Sequence, residues 1–510
     1  MKTKHSHKII IECLLAMAIL TWYLPGASLA DEAYGTTIRN GMALSACRDG
    51  KLVRYRLIEG SMLVDDCTIC GRPPIPIPIR GYFWLELVEQ NPLFSDYLVR
   101  GLTFTGTFGD SNYVGRMEGT YHIGGEVAIL QQMTLEGRIS QYEDLKFASE
   151  AGPPQSPFPW IEIDVLQLPP ADPLHTFSIH IVAVPWPRVL FSTETGFTSS
   201  ARSTITHVSD GDLLSSSGQV VRTNKELTDR LGIKPIVPDV GLDAVAGPMP
   251  VLSLEPHRLR GEFWFSAEQD VFSGTLGLLR HGDLLSSTGW VVRRNGELIK
   301  PFAPQPPVED YGLDAVTRGP DGVLLFSTEK GFFSESLGMS VGDGDLLRED
   351  GKIYKTCSDL LAKFHPIEPR PIPFGLDAVY VWPNGEVWFS IEVDFVDGLL
   401  GPIGHGDLLS DIGRVVVRNR ELMAPFKPLE KISDFGLDSI QVLRRHCTAD
   451  LNLDGNVDLL DLAILTQSWD SNDTAARWNP DCDINIPADN IVDLPDLAAF
   501  AEQWLEGMGP

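Results

Sequence analysis

Positive charge is scarce in this sequence. Its 510 residues include 41 Lys and Arg against 69 Asp and Glu, which gives a formal charge of −28. Such a chain repels phosphate backbones and anionic lipids, so we expect no nucleic-acid partner and favour divalent cations as ligands. The hydrophobic fraction of 43% indicates a folded protein rather than a disordered one. At roughly 100 to 200 residues per domain, the length predicts about three domains.

Long apolar runs are missing as well, apart from a short one near the start. A basic segment precedes the apolar residues 13–24, and Ser28-Leu29-Ala30 forms a small-x-small cleavage site. We therefore interpret residues 1–30 as a signal peptide and predict a protein secreted to the extracellular space or the cell surface. A membrane anchor is the alternative, but Glu12 interrupts the apolar run, and the remainder is too short for a hydrocarbon core of about 30 Å. No membrane span is expected after signal cleavage.

Cysteine is rare. Six cysteines follow the signal peptide: Cys47, Cys67, Cys70, Cys357, Cys447 and Cys482. An even number in an exported chain favours disulfides, and we expect one among the first three of them. A zinc site there is the alternative, although no histidine lies nearby in the sequence. A second disulfide, between Cys447 and Cys482, is predicted to join the two halves of the C-terminal region.

Residues 31–175 have the pattern of a β-sandwich-like domain. Short alternating segments such as 82–87 and 102–105 are separated by Gly and Pro clusters. The proline-rich segment 72–78 cannot be a central strand, because each proline removes a hydrogen-bond donor from the ladder. It is predicted to be an extended edge or a loop.

Residues 176–443 contain four copies of one repeat, each with the blocks Phe-Ser-x-Glu, Gly-Asp-Leu-Leu and Gly-Leu-Asp-Ala-Val or Gly-Leu-Asp-Ser-Ile. The acidic residues of these blocks are, in order of block, Glu194, Glu268, Glu329 and Glu392; Asp212, Asp283, Asp345 and Asp407; and Asp243, Asp314, Asp377 and Asp438. Four strand-like pieces per copy, without a helix pattern, resemble the blades of a β-propeller. The predicted fold class is therefore mainly β, with a four-repeat β-propeller-like domain.

The last unit of the repeat region, residues 436–443, has no blade after it. We expect it to pair near Val189–Ser192 and so complete the first blade, because closing the ring removes exposed sheet edges. A β-solenoid or two packed sheets is the alternative architecture.

The repeated carboxylates raise the question of catalysis. Glycoside hydrolysis needs two carboxylates at a defined separation, but a single active site requires residues that break the symmetry of the repeat. An acid in every copy is more typical of turn capping, of bonds to backbone amides or of one bound cation per blade. His281 and His405 precede Gly-Asp-Leu-Leu in copies two and four, and we interpret them as solvated loop residues.

Residues 447–507 carry the most specific pattern in the chain. Segment 450–461 fits a twelve-residue calcium loop, with Gly455 at position 6 for the sharp turn. Segment 483–496 is a second loop, two residues longer, with Asn490 at the glycine position, and an apolar helix face follows each loop. The predicted Ca²⁺ ligands are Asp450, Asn452, Asp454, Asn456, Asp458 and Asp461 in loop one, and Asp483, Asn485, Asp489, Asp493 and Asp496 in loop two.

Paired loops with Asp at position 12 and one helix after each resemble a type I dockerin module. The resemblance covers about 60 of the 510 residues. It implies a small all-α calcium-binding module that docks onto a cohesin-like partner in an extracellular assembly, often one that handles polysaccharide. Leu459-Leu460 and Leu494-Pro495 replace the small polar pair that dockerins present for cohesin recognition. Another cell-surface partner or a purely structural tail is therefore the alternative.

The sequence thus predicts a secreted calcium-binding protein that assembles through its tail and carries a propeller-like binding scaffold. The competing hypothesis is an extracellular carbohydrate-active enzyme, either a glycoside hydrolase or a polysaccharide lyase. Its only support is that dockerin modules often belong to proteins that handle polysaccharide. We leave enzymatic activity undecided, with the symmetry of the repeated acids weighing against it.

Overall fold

The computed structural model describes residues 52–201, 205–249, 262–368, 374–443, 449–451, 457, 459–472, 475, 477–485 and 490–507. This part of the chain is mainly β, as predicted. None of its helices is long and apolar enough to cross a membrane.

The first nine strands form a single antiparallel sheet. They are β1 (Leu52–Leu57), β2 (Met62–Asp66), β3 (Ile75–Gln90), β4 (Phe94–Phe108), β5 (Ser111–Gly124), β6 (Leu130–Ile139), β7 (Tyr142–Ala148), β8 (Ile161–Gln167) and β9 (Thr176–Pro185). Their order is β1-β3-β2-β9-β8-β7-β6-β5-β4, and β3 also pairs with β4, while β1 pairs with β9. The sheet therefore closes on itself around an apolar core.

The predicted sandwich of two packed sheets is wrong for this region. The long strands β3 and β4, of 16 and 15 residues, each continue from one pairing partner to the next, so all nine strands belong to one hydrogen-bonded sheet. Alternating side chains such as Phe83, Leu85 and Phe104 fill the interior. The region also extends beyond the predicted boundary at residue 175, because β9 ends at Pro185.

The proline-rich segment forms the start of β3. Pro76 and Pro78 pair with β2 on one side, and the pairing with β4 begins only at Ile79. The prediction of an extended edge is confirmed, since a proline can be accommodated where no donor is needed on the second side.

In the part of the four repeats that the structure describes there are 26 strands. These are β10 (Arg188–Ser192), β11 (Phe197–Ser199), β12 (Thr206–Val208), β13 (Leu213–Ser215), β14 (Gln219–Arg222), β15 (Val245–Met249), β16 (Glu262–Phe265), β17 (Val271–Ser273), β18 (Gly277–Leu279), β19 (Leu284–Ser286), β20 (Trp290–Arg293), β21 (Pro304–Gln305), β22 (Val316–Arg318), β23 (Leu324–Phe326), β24 (Phe332–Ser334), β25 (Met339–Val341), β26 (Leu346–Arg348), β27 (Lys352–Lys355), β28 (Pro366–Glu368), β29 (Leu376–Val381), β30 (Val387–Ile391), β31 (Phe395–Asp397), β32 (Gly401–Ile403), β33 (Leu408–Ser410), β34 (Arg414–Val417) and β35 (Ser439–Leu443).

Sixteen of these strands build four equivalent antiparallel sheets. The orders are β14-β13-β10-β35, β15-β16-β19-β20, β22-β23-β26-β27 and β29-β30-β33-β34. The edge strands β15, β22, β29 and β35 contact one another in a cycle, each touching the corresponding strand of the next sheet. The remaining strands form four small sheets, which are β11-β12, β17-β18, β21-β24-β25 and β28-β31-β32.

The last strand closes the cycle. β35 pairs antiparallel with β10 over five residues, from Arg188 opposite Leu443 to Ser192 opposite Ser439. This is the pairing that the sequence predicts. It joins the final segment of the repeat region to the first sheet.

A serine in each Phe-Ser-x-Glu block joins neighbouring sheets. Its buried hydroxyl donates to the leucine carbonyl of the next Gly-Leu-Asp block along the chain. The four bonds are Ser192 to Leu242 (2.9 Å), Ser266 to Leu313 (2.9 Å), Ser327 to Leu376 (3.0 Å) and Ser390 to Leu437 (2.7 Å). Because the fourth bond leads back to the first sheet, all four sheets are connected.

Each repeat also contains a short helix that the sequence pattern does not predict. These helices are Asn224–Thr228, Asn295–Ile299, Cys357–Leu360 and Asn419–Met423, and 3₁₀ turns follow at Asp229–Leu231, Lys300–Phe302 and Ala424–Phe426. One turn of helix is too short to show an apolar period, so it escapes a search for amphipathic spacing.

The Gly-Asp-Leu-Leu aspartates hold these helices in place. In copy one, the Asp212 carboxylate accepts from the backbone N–H groups of Asn224 (2.8 Å) and Ser209 (3.2 Å). The Asn224 side chain in turn donates to the carbonyl of Gly241 (3.1 Å). The expectation that a repeated acid bonds backbone amides is confirmed for this block.

The nine-stranded sheet of β1 to β9 packs against the fourth repeat. Ile58, Trp160 and Trp186 share an apolar core with Val416 and Leu422. Ion pairs border this core, including Arg56 with Glu421 and Arg418 with Glu59.

A buried glutamate completes the same interface. Glu386 accepts hydrogen bonds from the indole N–H groups of Trp160 (3.0 Å) and Trp388 (2.8 Å) and from the Ser410 hydroxyl (2.6 Å). The carboxylate is therefore satisfied although it lies in an apolar setting.

The described residues of the C-terminal region form two helices, Leu459–Gln467 and Leu494–Gly507, and two short paired strands, β36 (Ser471–Asn472) and β37 (Ile491–Val492). A 3₁₀ turn at Pro480–Cys482 precedes the second loop. An ion pair between Arg188 and Asp481 (3.5 Å) attaches this region to the first strand of the repeats.

Candidate metal centres

The predicted calcium ligands divide between residues that the structure describes and residues outside that set. Asn452, Asp454, Asn456, Asp458 and Asp489 lie outside the described residues. The described ligands are Asp450, Asp461, Asp483, Asn485, Asp493 and Asp496.

Loop two brings its described ligands together around Asp496. This aspartate is fully buried, and its carboxylate accepts from the backbone N–H groups of Ile484 (2.6 Å), Asn485 (3.0 Å) and Asp493 (2.9 Å). The Asn485 side-chain oxygen is buried and has no hydrogen-bond partner among the described residues. An unbonded oxygen beside a buried carboxylate suits a cation better than it suits an apolar core.

The turn of loop two also has the expected conformation. Asn490, at the predicted glycine position, has a φ of 63°, a left-handed conformation that asparagine tolerates. Its backbone N–H donates to the Asp483 carboxylate at 2.8 Å. Positions 1 and 6 of the loop are thereby held together.

Loop one repeats the central contact. Asp461 is fully buried and accepts from the N–H of Leu451 at 2.8 Å. Counted from the start of each loop, the bond from Leu451 to Asp461 corresponds to the bond from Ile484 to Asp496. The third residue of each helix is therefore a buried aspartate that is bonded to the second residue of the preceding loop.

A second group of acids lies where the edge strands β15, β22, β29 and β35 contact one another. Each of these strands has the aspartate of a Gly-Leu-Asp block at or just before its start, and the four are Asp243, Asp314, Asp377 and Asp438. Asp314, Asp377 and Asp438 are only 8, 7 and 6% exposed. In all four residues the oxygen Oδ2 is buried and has no hydrogen-bond partner among the described residues. We call these four residues the axial ring.

The Phe-Ser-x-Glu glutamates surround the axial ring. One carboxylate oxygen from each of Glu194, Asp377 and Asp438 lies within 4.8 Å of the others. The block glycines make room for them: Gly436 has a φ of 73°, and a Cβ there would collide with the Glu194 side chain. The same relation holds between Gly241 and Glu268.

Electrostatic conditions in the axial ring disfavour negative charge. Burial, and then the neighbouring carboxylates, raise the pKa of each ring aspartate well above its usual range. Burial likewise raises the pKa of Glu268 to about 7, with Asp210 and Asp239 adding to the effect. The ring is therefore a place where a proton or a cation is strongly favoured.

Two further acidic groups contain the repeat histidines. His281 lies with Asp270 and Asp310, and His405 with Asp394 and Asp434. Each histidine Nδ1 is 2.8 Å from an oxygen of the preceding aspartate.

The His281 and His405 side chains lie in loops, as predicted, but they are only 23 and 25% exposed. Burial alone would lower the pKa of His281, but its bond to Asp270 and the charges of Glu329 and Asp310 raise it. The paired aspartates and histidines of copies two and four are thus part of a local ionic cluster.

One hydrolase-like pattern has no matching geometry. Residues 338–342 read Gly-Met-Ser-Val-Gly, but Ser340 is exposed on β25, within a β-hairpin. A nucleophile elbow requires a sharp turn between a strand and a helix. The pattern is therefore not a catalytic elbow.

The cysteines add one cross-link to this picture. Cys67 and Cys70 form a disulfide with Cα atoms 5.7 Å apart, which confirms the expected bond among the first three cysteines. Cys482 is a buried free thiol, and burial raises its pKa to about 12. Its predicted partner, Cys447, lies outside the described residues.

The sequence search singled out the tail ligands but not the axial ring. The available signal was the fixed Gly-Leu-Asp block, which places one acid at the same point of every inner strand. Comparison with known proteins adds no further guide, since no protein-family model matches the chain and no curated protein is similar to it.

Proposed function

We propose that this protein is a secreted calcium-binding assembly protein. Its dockerin-like tail docks onto a cohesin-like module or another cell-surface component, and its β-propeller-like repeats form the binding scaffold. The observation that carries the proposal is the shared contact of the two loops, in which Asp461 and Asp496 make the same backbone bond at the start of a helix.

Calcium is the cation that best suits this donor set. The predicted ligands of both loops are carboxylate and amide oxygens, and calcium takes six to eight such oxygens. Neutralising the clustered carboxylates would lower their mutual repulsion and stabilise the following helices. Calcium binding is thereby coupled to the order of the docking surface.

The docking surface that we propose is apolar. Leu459 and Leu494 begin the two tail helices and are 64 and 67% exposed. They stand at corresponding positions of the two loops, so each half of the tail presents an exposed leucine. We infer that the partner offers apolar pockets at these points, in place of the polar contacts that a dockerin usually makes.

The closed cycle of four four-stranded sheets supports the propeller-like interpretation, since a solenoid would leave its first and last repeats unpaired. A carbohydrate-active enzyme that acts on polysaccharide is the weaker proposal. Glycoside hydrolysis needs two carboxylates with different roles, whereas the four ring aspartates have equivalent positions and equivalent unbonded oxygens.

The test compares the full-length protein with the variant Asp461→Asn/Asp496→Asn. Calcium titration by calorimetry and binding to a panel of purified cohesin modules are measured for both. The variant is expected to bind calcium at least about tenfold more weakly in the tail and to lose any calcium-dependent docking. Asp470→Asn is the control, because Asp470 belongs to the tail but its side chain is 89% exposed.

Unchanged calcium titration in the double variant would contradict the calcium assignment. Release of soluble sugar from a polysaccharide panel by the native protein would instead favour the enzyme.

A further inference from the structure

We propose that the axial ring binds one divalent cation of the calcium class on the axis of the four repeats. This site is separate from the tail loops. It would be a single shared site, in contrast to the one cation per blade that the sequence suggests as an alternative.

The first support is convergence. The four ring aspartates occupy the same position of the Gly-Leu-Asp block, and each precedes or begins one of the strands β15, β22, β29 and β35. Those strands contact one another in a cycle. The repeat therefore brings the four carboxylates to the inner edges of the four sheets, and one oxygen from each of Asp377, Asp438 and Glu194 lies within 4.8 Å of the other two.

The second support is the set of unbonded oxygens. Buried carboxylate oxygens are almost always hydrogen-bonded, yet Oδ2 of every ring aspartate lacks a partner among the described residues. The same atom is unbonded in all four copies, so the pattern belongs to the repeat and not to one packing defect. A cation would supply the missing partner where Asp377, Asp438 and Glu194 already lie within ligand distance of one another.

Protons alone leave this pattern unexplained. Glu194 shares a hydrogen bond with Asp377, and Glu392 shares one with Asp314. A proton accounts for each of these two pairs, whereas the Oδ2 atoms of Asp243 and Asp438 have no hydrogen-bond partner among the described residues. A protonated carboxyl would add a further O–H group that needs an acceptor of its own.

The composition of the ring selects the class of cation. Aspartate and glutamate oxygens are donors that calcium prefers, and water can complete the six to eight ligands that it takes. No sulfur or nitrogen donor belongs to the described ring, which argues against zinc. Magnesium requires a compact octahedron and retains several waters, so it is the poorer match.

The experiment uses the full chain with the tail sites disabled by Asp461→Asn/Asp496→Asn. After gel filtration in calcium, we expect about one bound calcium per chain by elemental analysis. Calorimetry should show that Asp314→Asn/Asp438→Asn, two ring members in alternate sheets, weakens this binding at least tenfold. The thermal midpoint of the background protein should be higher in calcium than in chelator, and the ring variant should lose that difference.

Two further variants keep the test decisive. Asp229→Asn, a 54% exposed surface acid in the repeats, is the matched control and should bind calcium normally. If the ring variant does not fold, Glu194→Gln replaces it, because this partly exposed glutamate adjoins the ring and should bind calcium at least threefold more weakly.

Two results would overturn the proposal. They are the absence of calcium in the tail-disabled protein and equal affinity in the ring variant and the control. Tighter binding of magnesium than of calcium would overturn the assignment of cation class. None of these outcomes depends on whether the tail docks onto a partner.

Discussion

The hydroxyl oxygens of Ser192 and Ser439 lie 2.5 Å apart, although 247 residues separate them in the sequence. Both serines are buried. Ser192 also donates to the carbonyl of Leu242, at the start of the second sheet. One side chain thus joins the first strand, the last strand and the next sheet, so the integrity of the repeats depends on their final segment.

The closing strand should be essential for the repeats. Ile440 is 2% exposed and pairs with Phe191, so Ile440→Ala should lower the free energy of unfolding by about 2 to 5 kcal/mol. After deletion of residues 439–443, the repeats should no longer fold as a cooperative unit and should show no cooperative unfolding transition. Urea denaturation followed by circular dichroism measures both effects.

The control for this prediction is Ile432→Ala, because Ile432 is 45% exposed. Its unfolding midpoint should remain within error of the native one. A deletion variant that melts like the native protein would show that the ring does not need its last strand.

The interface between the nine-stranded sheet and the fourth repeat should depend on Glu386. This carboxylate is 8% exposed and accepts from two tryptophans and a serine. Glu386→Ala should cost about 3 kcal/mol or more, because it leaves several buried donors without an acceptor. Denaturant unfolding monitored by tryptophan fluorescence is a direct measurement, since Trp160 and Trp388 report on the site.

Glu309→Gln provides the comparison for Glu386, because the Glu309 side chain is 80% exposed. Similar losses in the two variants would mean that the Glu386 hydrogen bonds contribute little. A loss confined to Glu386→Ala would support the interface role.

Stability without cations should fall as the pH rises. The pKa of Glu268 is raised from 4.5 to about 7 in the folded protein, so the folded state retains a proton that the unfolded state has lost. The stabilising contribution is complete below about pH 4.5 and is lost as the pH rises through about 7. In chelator, the thermal midpoint should therefore decrease across this window by roughly a few degrees.

Glu268→Gln should flatten that decrease, because glutamine does not titrate. Thermal melts at several pH values between about 4.5 and 8 in chelator test the difference. An unchanged slope in the variant would assign the pH dependence to other groups.

Within loop two, Asp496 should matter more than Asn485. Asp496→Asn removes a buried charge that holds three backbone N–H groups, so we expect it to weaken calcium binding by about tenfold or more. Asn485→Ala removes one neutral oxygen and should have a smaller effect. Calorimetric titration of the full-length variants ranks them, and the reverse order would contradict the proposed ligand roles.

Local sequence signals account for a hairpin turn and predict the closure of the repeats. Pro383-Asn384-Gly385 forms the turn between β29 and β30, because these residues favour a tight reversal. The closing strand could be anticipated because the repeat ends on a first-strand unit without a successor. Such signals lie within a few residues or within the order of the blocks.

Other features depend on contacts that no single segment contains. Alternation in β3 and β4 indicates two-sided strands, but it does not distinguish one closed sheet from two packed sheets. The axial ring likewise arises only when four distant copies of Gly-Leu-Asp meet. The bond between His281 and Asp270 depends on the β17–β18 hairpin, which brings these two residues to 2.8 Å although 11 positions separate them.

The pairing of Arg188 with Leu443 has a mechanical consequence. The chain enters the repeats beside the point where it leaves them. A force applied between the nine-stranded sheet and the tail would therefore separate β35 from β10 one hydrogen bond at a time. Peeling resists force less than shearing, in which all the bonds share the load. The ion pair between Arg188 and Asp481 lies at this point. Tension from a docked partner would reach this ion pair before it reaches the pairing of β10 with β35.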